Sequence, residues 1–180
     1  MQPHKLLLSA AMVAIVVLPQ ASAENFYAEG FASAFNTDEA AGVAGVSDLN
    51  FGTIGARGGY SFNENFSLEG ELQTGLDDEE FAAFPVVTEI SLQYNAAIFG
   101  RFSIPVSERL NLYGRIGYAS TEFEFTSSLG EVSDSLDGGA YGLGASFDLT
   151  DKIYIRGDAT RYDTGLLESD SLAIGAGLRF

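Results

Sequence analysis

The sequence has no cysteine and no tryptophan, and its single histidine, His4, lies at the extreme N-terminus. Without cysteine there is neither a disulfide framework nor a thiol nucleophile. Without a histidine past position 4, the nucleophile–base and Asp–His pairs of common hydrolases have no base. Carboxylates and serines are present, but no motif organises them, so no enzyme activity, catalytic residue or cofactor is expected. Basic residues are scarce: 9 Lys+Arg stand against 25 Asp+Glu, for a net charge of −16. That balance lacks the basic footprint of a nucleic-acid binder. Long apolar runs are missing as well. The one candidate, "LLLSAAMVAIVVL" at 6–18, falls short of the roughly 20 residues that a spanning helix needs.

That run follows the basic start "MQPHK" and precedes "PQASA", which ends on a small-x-small pattern. This is the three-part layout of a secretory signal peptide, with cleavage expected after Ala23. Residues 1–23 are read as the leader and 24–180 as one domain. Removing the leader takes away His4 and Lys5. An exported chain without a second hydrophobic helix is left with three destinations: periplasm, secretion or an outer-membrane barrel.

What the sequence does contain is period-two alternation, the mark of a strand. In "FSLEGELQTGL", Phe66, Leu68, Gly70, Leu72, Thr74 and Leu76 share one face. In "ISLQYNAAIFGRFSI", Ile90, Leu92, Tyr94, Ala96, Ile98, Gly100, Phe102 and Ile104 do so. The same pattern runs through 51–62, 110–118, 140–149, 152–160 and 171–180. In "FYAEGFASAF" the face opposite Glu29 holds only Phe26 and small residues, and a bulge there would reverse the facing. The count is eight strands of roughly ten residues, the length of a tilted membrane strand. Short connections ("NEN", "PVSER", "TDK") alternate with longer ones at roughly 37–48, 77–89, 121–137 and 162–170. This rhythm predicts an all-β, eight-stranded antiparallel up-and-down transmembrane β-barrel with both termini at the short-turn end.

Aromatic residues on the apolar face fall into two groups. Tyr60, Phe62, Phe66, Phe102, Phe147 and Phe180 lie toward the short turns, and Tyr94, Tyr118 and Tyr141 toward the long loops. Two girdles around an aliphatic band suit a bilayer. A soluble barrel would instead turn the apolar face inward and crowd its outside with glycine and other small residues.

The polar face would line the interior. It carries Arg57, Arg101, Arg115, Arg156 and Arg179, with Glu29, Glu69, Glu71, Asp148 and Asp158. A hairpin centred on Asn63–Asn65 sets Arg57 opposite Glu71. An eight-stranded barrel has room for side chains and little else, so the candidate ion-pair network is Arg57, Glu69, Glu71, Arg101, Arg115, Arg156, Asp158 and Arg179. Two roles fit it: a structural plug of salt bridges, or a gated ion path through rearranging pairs. Acidic residues gather in the long connections, at Asp77–Glu80 and at Glu122, Glu124, Glu131, Asp134 and Asp137. Their spacing matches no EF-hand, and like-charge runs are ordinarily solvated, so no metal is assigned.

Eight alternating strands, "LNLYGRIGYASTEFEF" and a terminal Phe180 together resemble the small outer-membrane β-barrel family of OmpA-transmembrane, OmpX and opacity-type proteins. The resemblance covers the whole of 24–180 and implies a Gram-negative outer-membrane location with both termini periplasmic. It also implies that the last strand is read by the outer-membrane assembly machinery: Leu172, Ile174, Ala176, Leu178 and Phe180 match that signal. Leu178 stands where many members carry an aromatic. No peptidoglycan-binding domain is expected after the barrel. The expected role is structural or surface-interacting, in the manner of adhesins and opacity proteins, through long acidic loops. Its expected partners are outer-membrane lipid and lipopolysaccharide, the assembly machinery, and a host or cell-surface ligand. The alternative is a small-conductance, porin-like channel.

Overall fold

The computed structural model describes residues 25–37, 49–76, 78–83, 86–127, 130–163 and 168–180. The expected leader at 1–23 lies outside them. So do Asp77 and the side chains of Asp78–Glu80, Glu131 and Asp134.

Among the described residues nine strands follow in order: β1 Phe26–Thr37, β2 Leu49–Ser61, β3 Phe66–Gly75, β4 Asp78–Ala83, β5 Val86–Pro105, β6 Leu110–Ser127, β7 Gly130–Asp148, β8 Ile153–Asp163 and β9 Glu168–Arg179. All pairings are antiparallel. β1 pairs with β2 and β2 with β3, and from β5 to β9 each strand pairs with the next. β1 also pairs with β9 and β3 with β5, so eight strands close into a ring. β4 stands outside the ring and, among the described residues, pairs only with β5, from Asp78↔Ser91 to Ala83↔Val86.

The three short turns are each built the same way. A side chain one or two residues into the turn accepts the N–H groups that would otherwise be orphaned. Asn63 Oδ1 accepts from Asn65 and Phe66 N–H, Ser107 Oγ from Arg109 and Leu110, and Thr150 Oγ1 from Lys152 and Ile153. Both ends of the barrel chain meet at this end, where the Phe180 N–H donates to the Phe26 carbonyl at 3.1 Å.

Strand facing follows the alternation. The outer surface carries Ile116 at 72% exposure, Leu143 at 73% and Ile174 at 70%. At each end this band meets exposed rings: Phe62, Phe66, Phe102, Phe147 and Phe180 near the turns, and Tyr94, Tyr118 and Tyr141 at the other end. Large apolar side chains left exposed all the way round a closed barrel suit lipid and would be untenable in water. β1 keeps an unbroken register with both neighbours. Its Tyr27, Glu29, Phe31 and Phe35 point inward, and no bulge reverses it.

Two expectations are corrected. The connection expected at 121–137 is mostly strand: β6 runs to Ser127 and β7 starts at Gly130, paired without interruption from Leu110↔Phe147 to Ser127↔Gly130. The segment "STEFEFTS" alternates β-formers with acids, and a water-exposed hairpin accepts that pattern as readily as a loop does. The connection expected at 77–89 likewise contains the β4–β5 hairpin. The second correction concerns Leu92, expected on the lipid face. The β5–β6 register shifts between Leu92 and Tyr94, leaving Gln93 as a bulge. One extra residue inverts all facing beyond it, so Tyr94 stays outside and Leu92 turns inward, 2% exposed.

Candidate functional site: the barrel interior and the outer rim

Six strands supply the charges of the interior. Glu29 comes from β1, Arg57 from β2, Glu69 and Glu71 from β3, Arg101 from β5, Arg115 from β6, and Arg156 and Asp158 from β8. Four guanidinium groups and four carboxylates meet there and interleave. Glu69 takes Arg156 through both oxygens, at 2.6 and 3.0 Å, and also accepts from Arg101 at 3.0 Å and the Tyr27 hydroxyl at 2.6 Å. Glu71 sits between Arg57 and Arg115, each at 2.7 Å, and accepts from the Tyr162 hydroxyl at 2.9 Å. Asp158 joins Arg115 at 2.7 Å, Arg156 at 3.2 Å and Arg57 at 3.4 Å, with the Tyr113 hydroxyl at 3.1 Å. Glu29 pairs with Arg57 and accepts from Tyr154 at 3.2 Å.

This arrangement answers the physical problem that a narrow barrel poses. A lone buried charge is very costly, and a pair is tolerable only when its remaining donors and acceptors are met. Here every acid has at least one arginine and one tyrosine hydroxyl. The guanidinium faces also lie over rings. Arg57 lies over Phe31 at 4.4 Å, Arg115 over Phe99 at 4.3 Å, and Arg101 and Arg156 over Tyr113 at 4.5 Å.

To the central charged layer β7 and β9 contribute space instead of charge. A Cβ on Gly144 of β7 would collide with the Tyr113 ring, and one on Gly177 of β9 with the Tyr154 ring. Gly59 of β2 leaves room for Tyr27 in the same way. Only glycine lets these rings lie across a neighbouring strand and bring their hydroxyls to the acids.

Arg179 stands apart from the central layer. It pairs with Asp148 at 2.8 Å near the turn end, partly exposed, over the Tyr154 ring. Arg101 is the most peripheral of the other four, and Glu69 is its one acid partner among the described residues.

Toward the long-loop end the ionic layer gives way to a polar one. Ser33 and Thr53 both donate to Gln73 Oε1, and Asn95 Nδ2 donates to Thr121. Beyond it Phe35, Phe51, Leu92, Phe99, Ala119, Ala140 and Tyr162 form a buried apolar cluster. The alternation places Phe35 and Phe99 of this cluster inward without assigning them a role. It missed the cap because Leu92 sits past a bulge. It also missed the tyrosine hydroxyls as ligands of the acids. Their signal was present, since Tyr27, Tyr113 and Tyr154 alternate onto the charged face.

Outside, at the long-loop rim, Arg161 and Asp170 form a two-pronged pair at 2.7 and 2.8 Å on adjacent strands. Above the tyrosine girdle β5, β6 and β7 project beyond the strands that flank them.

The chain matches the family model described as outer membrane protein beta-barrel domain over residues 6–180. Solved structures share the fold. Ail, the attachment invasion locus protein of Yersinia pestis, solved with the heparin analogue sucrose octasulfate, aligns at TM-score 0.64 and 20% identity, covering 87% of this chain and 99% of that one. Neisserial surface protein A aligns at TM-score 0.63 and 11% identity, covering 86% and 97%. The N-terminal barrel domain of Pseudomonas aeruginosa OprF aligns at 0.58 and 13%, covering 86% and 97%. No curated protein sequence matches the chain.

Proposed function

The chain belongs to the outer membrane protein β-barrel family, and from that premise we propose a barrel with a closed lumen that acts through its surface, as a structural or surface-interaction protein of adhesin or opacity type. One observation carries this reading. The central charged layer and the apolar cap fill the interior, with Arg156, Glu69, Phe35, Phe51 and Phe99 each under 3% exposed. An ion crossing the barrel would have to part the salt bridges and then pass an apolar constriction. A barrel of this size has no spare width for either step. What remains available to a partner is the outside.

The proposal extends to the rest of the chain. Residues 1–23 direct export and are removed. The termini sit with the short turns on the periplasmic side. The exposed apolar band meets lipid and, in the outer leaflet, lipopolysaccharide. The alternating face Leu172, Ile174, Ala176, Leu178 and Phe180 serves the assembly machinery as its signal. The protein is not an enzyme.

Ail was solved with a polyanion bound. This chain has 25 acidic against 9 basic residues, none of the basic ones between Arg115 and Lys152, so a sulfated polyanion is the wrong ligand for its loops. Planar-bilayer recording on the refolded barrel tests the closed lumen: a flat trace is expected, and reproducible conductance steps would overturn it. Cell or surface binding that disappears when the long connections are trimmed, with the barrel still folded, supports the interaction role. Unchanged binding refutes it.

A further inference from the structure

The two girdles of the barrel differ in chemistry. At the turn end the rings touch one another: Phe26, Tyr60, Phe62 and Phe66 stand in a row at centroid spacings of 4.8, 5.1 and 5.7 Å. At the long-loop end the girdle is made of Tyr94, Tyr118 and Tyr141, which are 39%, 57% and 54% exposed. A phenol keeps its hydroxyl in the polar layer, so these rings mark the level where headgroups begin.

Charge divides the same way. Arg109 and Lys152 stand exposed in the short turns, among Glu64, Glu108 and Asp151. Five arginines face the lumen. That leaves Arg161 as the one basic residue at the long-loop end. It lies on the outward face of β8, with Tyr141 of β7 and Asp170 of β9 as its Cα partners. Its charge is neutralised locally: Asp170 takes it through both oxygens, and Glu168 approaches at 3.4 Å. Carboxylates accompany the tyrosines. Glu122 is the partner of Tyr94 across β5 and β6 and accepts its hydroxyl. Tyr118 pairs with Gly139; Asp137 stands two residues further along β7, and Asp163 is opposite Gly139 on β8, both exposed. A phosphate brought to this rim meets carboxylates and an arginine that is already paired. An ammonium group meets carboxylates and exposed rings, which attract cations.

We propose that the rim at the long-loop end selects outer-leaflet lipid whose headgroup carries an amine or ammonium, and disfavours lipid that presents a bare phosphate. This rests on the placement of that end in the outer leaflet, and it gives the lipid partner of the proposed function a headgroup chemistry. Tyr94 with Glu122, and Tyr118 with Asp137 and Asp163, form the cation-accepting part of the rim. Asp170 keeps Arg161 from serving as a phosphate anchor.

The probes are two spin-labelled lipids at trace level, one with a quaternary ammonium headgroup and no phosphate, the other phosphatidic acid. Each is placed in zwitterionic bilayers that hold the refolded full chain at low salt. Electron spin resonance gives the fraction of each label held at the barrel surface. The ammonium lipid should be retained about threefold over phosphatidic acid, within the effect of one charge at a membrane surface. The ratio should fall toward one at high salt. Glu122→Gln/Asp137→Asn should lower it by about half, and Asp170→Asn, which frees Arg161, should raise retention of phosphatidic acid about twofold. Glu64→Gln/Glu108→Gln at the turn end should leave the ratio nearly unchanged. Heat-modifiable migration checks that each variant is folded. Equal retention of the two labels would overturn the proposal. So would a ratio that follows the turn-end variant instead of the rim variants. Neither result touches the surface-interaction reading, which stands or falls on the loop-trimming experiment.

Discussion

Arg57 and Glu71 lie directly opposite each other on β2 and β3, joined Nε to Oε2 at 2.7 Å and almost entirely buried. Their pairing illustrates how the interior is organised. Arg57 also reaches Glu29 and Asp158, and Glu71 also holds Arg115 and Tyr162. No pair is isolated, so removing one member strands several. Glu71→Gln leaves two guanidinium groups short of a charge and should destabilise by about 3–5 kcal/mol, the range for a broken buried pair. Arg101→Met removes a group with one acid partner and a side chain 10% exposed. It should cost clearly less. Urea unfolding of the two variants in the same detergent gives the order; equal losses would mean that the layer is not a coupled network.

The inner glycines yield a second expectation. Gly144→Ala drives a methyl group into Tyr113 and should cost about 1–3 kcal/mol, as overpacking does. Trimming the ring in Gly144→Ala/Tyr113→Leu should recover part of that loss, although Asp158 then loses one donor. Gly70 is the control: it faces lipid, and a Cβ added there would meet nothing within 4 Å. Gly70→Ala should be neutral or slightly stabilising. Thermal gel-shift midpoints for the three barrels are the measurement.

Arg161 and Asp170 set the opposite limit. Their geometry is as good as that of any interior pair, at 2.7 and 2.8 Å, yet their side chains are 39% and 48% exposed. Water and salt screen such a pair, and Arg161→Gln should change stability by under about 1 kcal/mol, less again at high salt. A loss as large as that of Glu71→Gln would show that the rim, too, excludes water.

The architecture was legible because a membrane barrel writes its two environments on alternate residues. The run Leu172, Ile174, Ala176, Leu178 and Phe180 declares one face, and Ser171, Ala173 and Gly175 the other. The Arg57–Glu71 register was legible for a related reason: a tight turn at Asn63–Asn65 fixes every pair below it. Pairs across the lumen were not legible. Arg156 with Glu69 and Tyr162 with Glu71 join strands that are not neighbours, and no spacing rule reports how far a side chain reaches across a barrel. Bulges are equally silent. Gln93 looks like any polar residue in the alternation, yet it decides that Leu92 belongs to the inner cap. Long water-exposed hairpins read as loops because, past the girdle, no lipid enforces an apolar face.

The last residue offers the sharpest test of how the chain reaches its membrane. Phe180 is half exposed in the turn-end girdle, and its N–H is engaged by the Phe26 carbonyl of the strand that closes the barrel. Deleting it removes one hydrogen bond worth about 1 kcal/mol and an interfacial ring. The finished barrel should lose little of its stability in detergent. If Phe180 belongs to an assembly signal, the loss will be kinetic and cellular: the heat-modifiable, folded fraction in outer-membrane preparations should fall severalfold, while refolding of the purified chain in detergent proceeds nearly as before. Phe180→Tyr should restore insertion, since it keeps a ring at the same place, and Phe180→Ser should not. Wild-type insertion of the deleted chain would reject the signal, and an equal loss in both settings would make Phe180 a structural residue only.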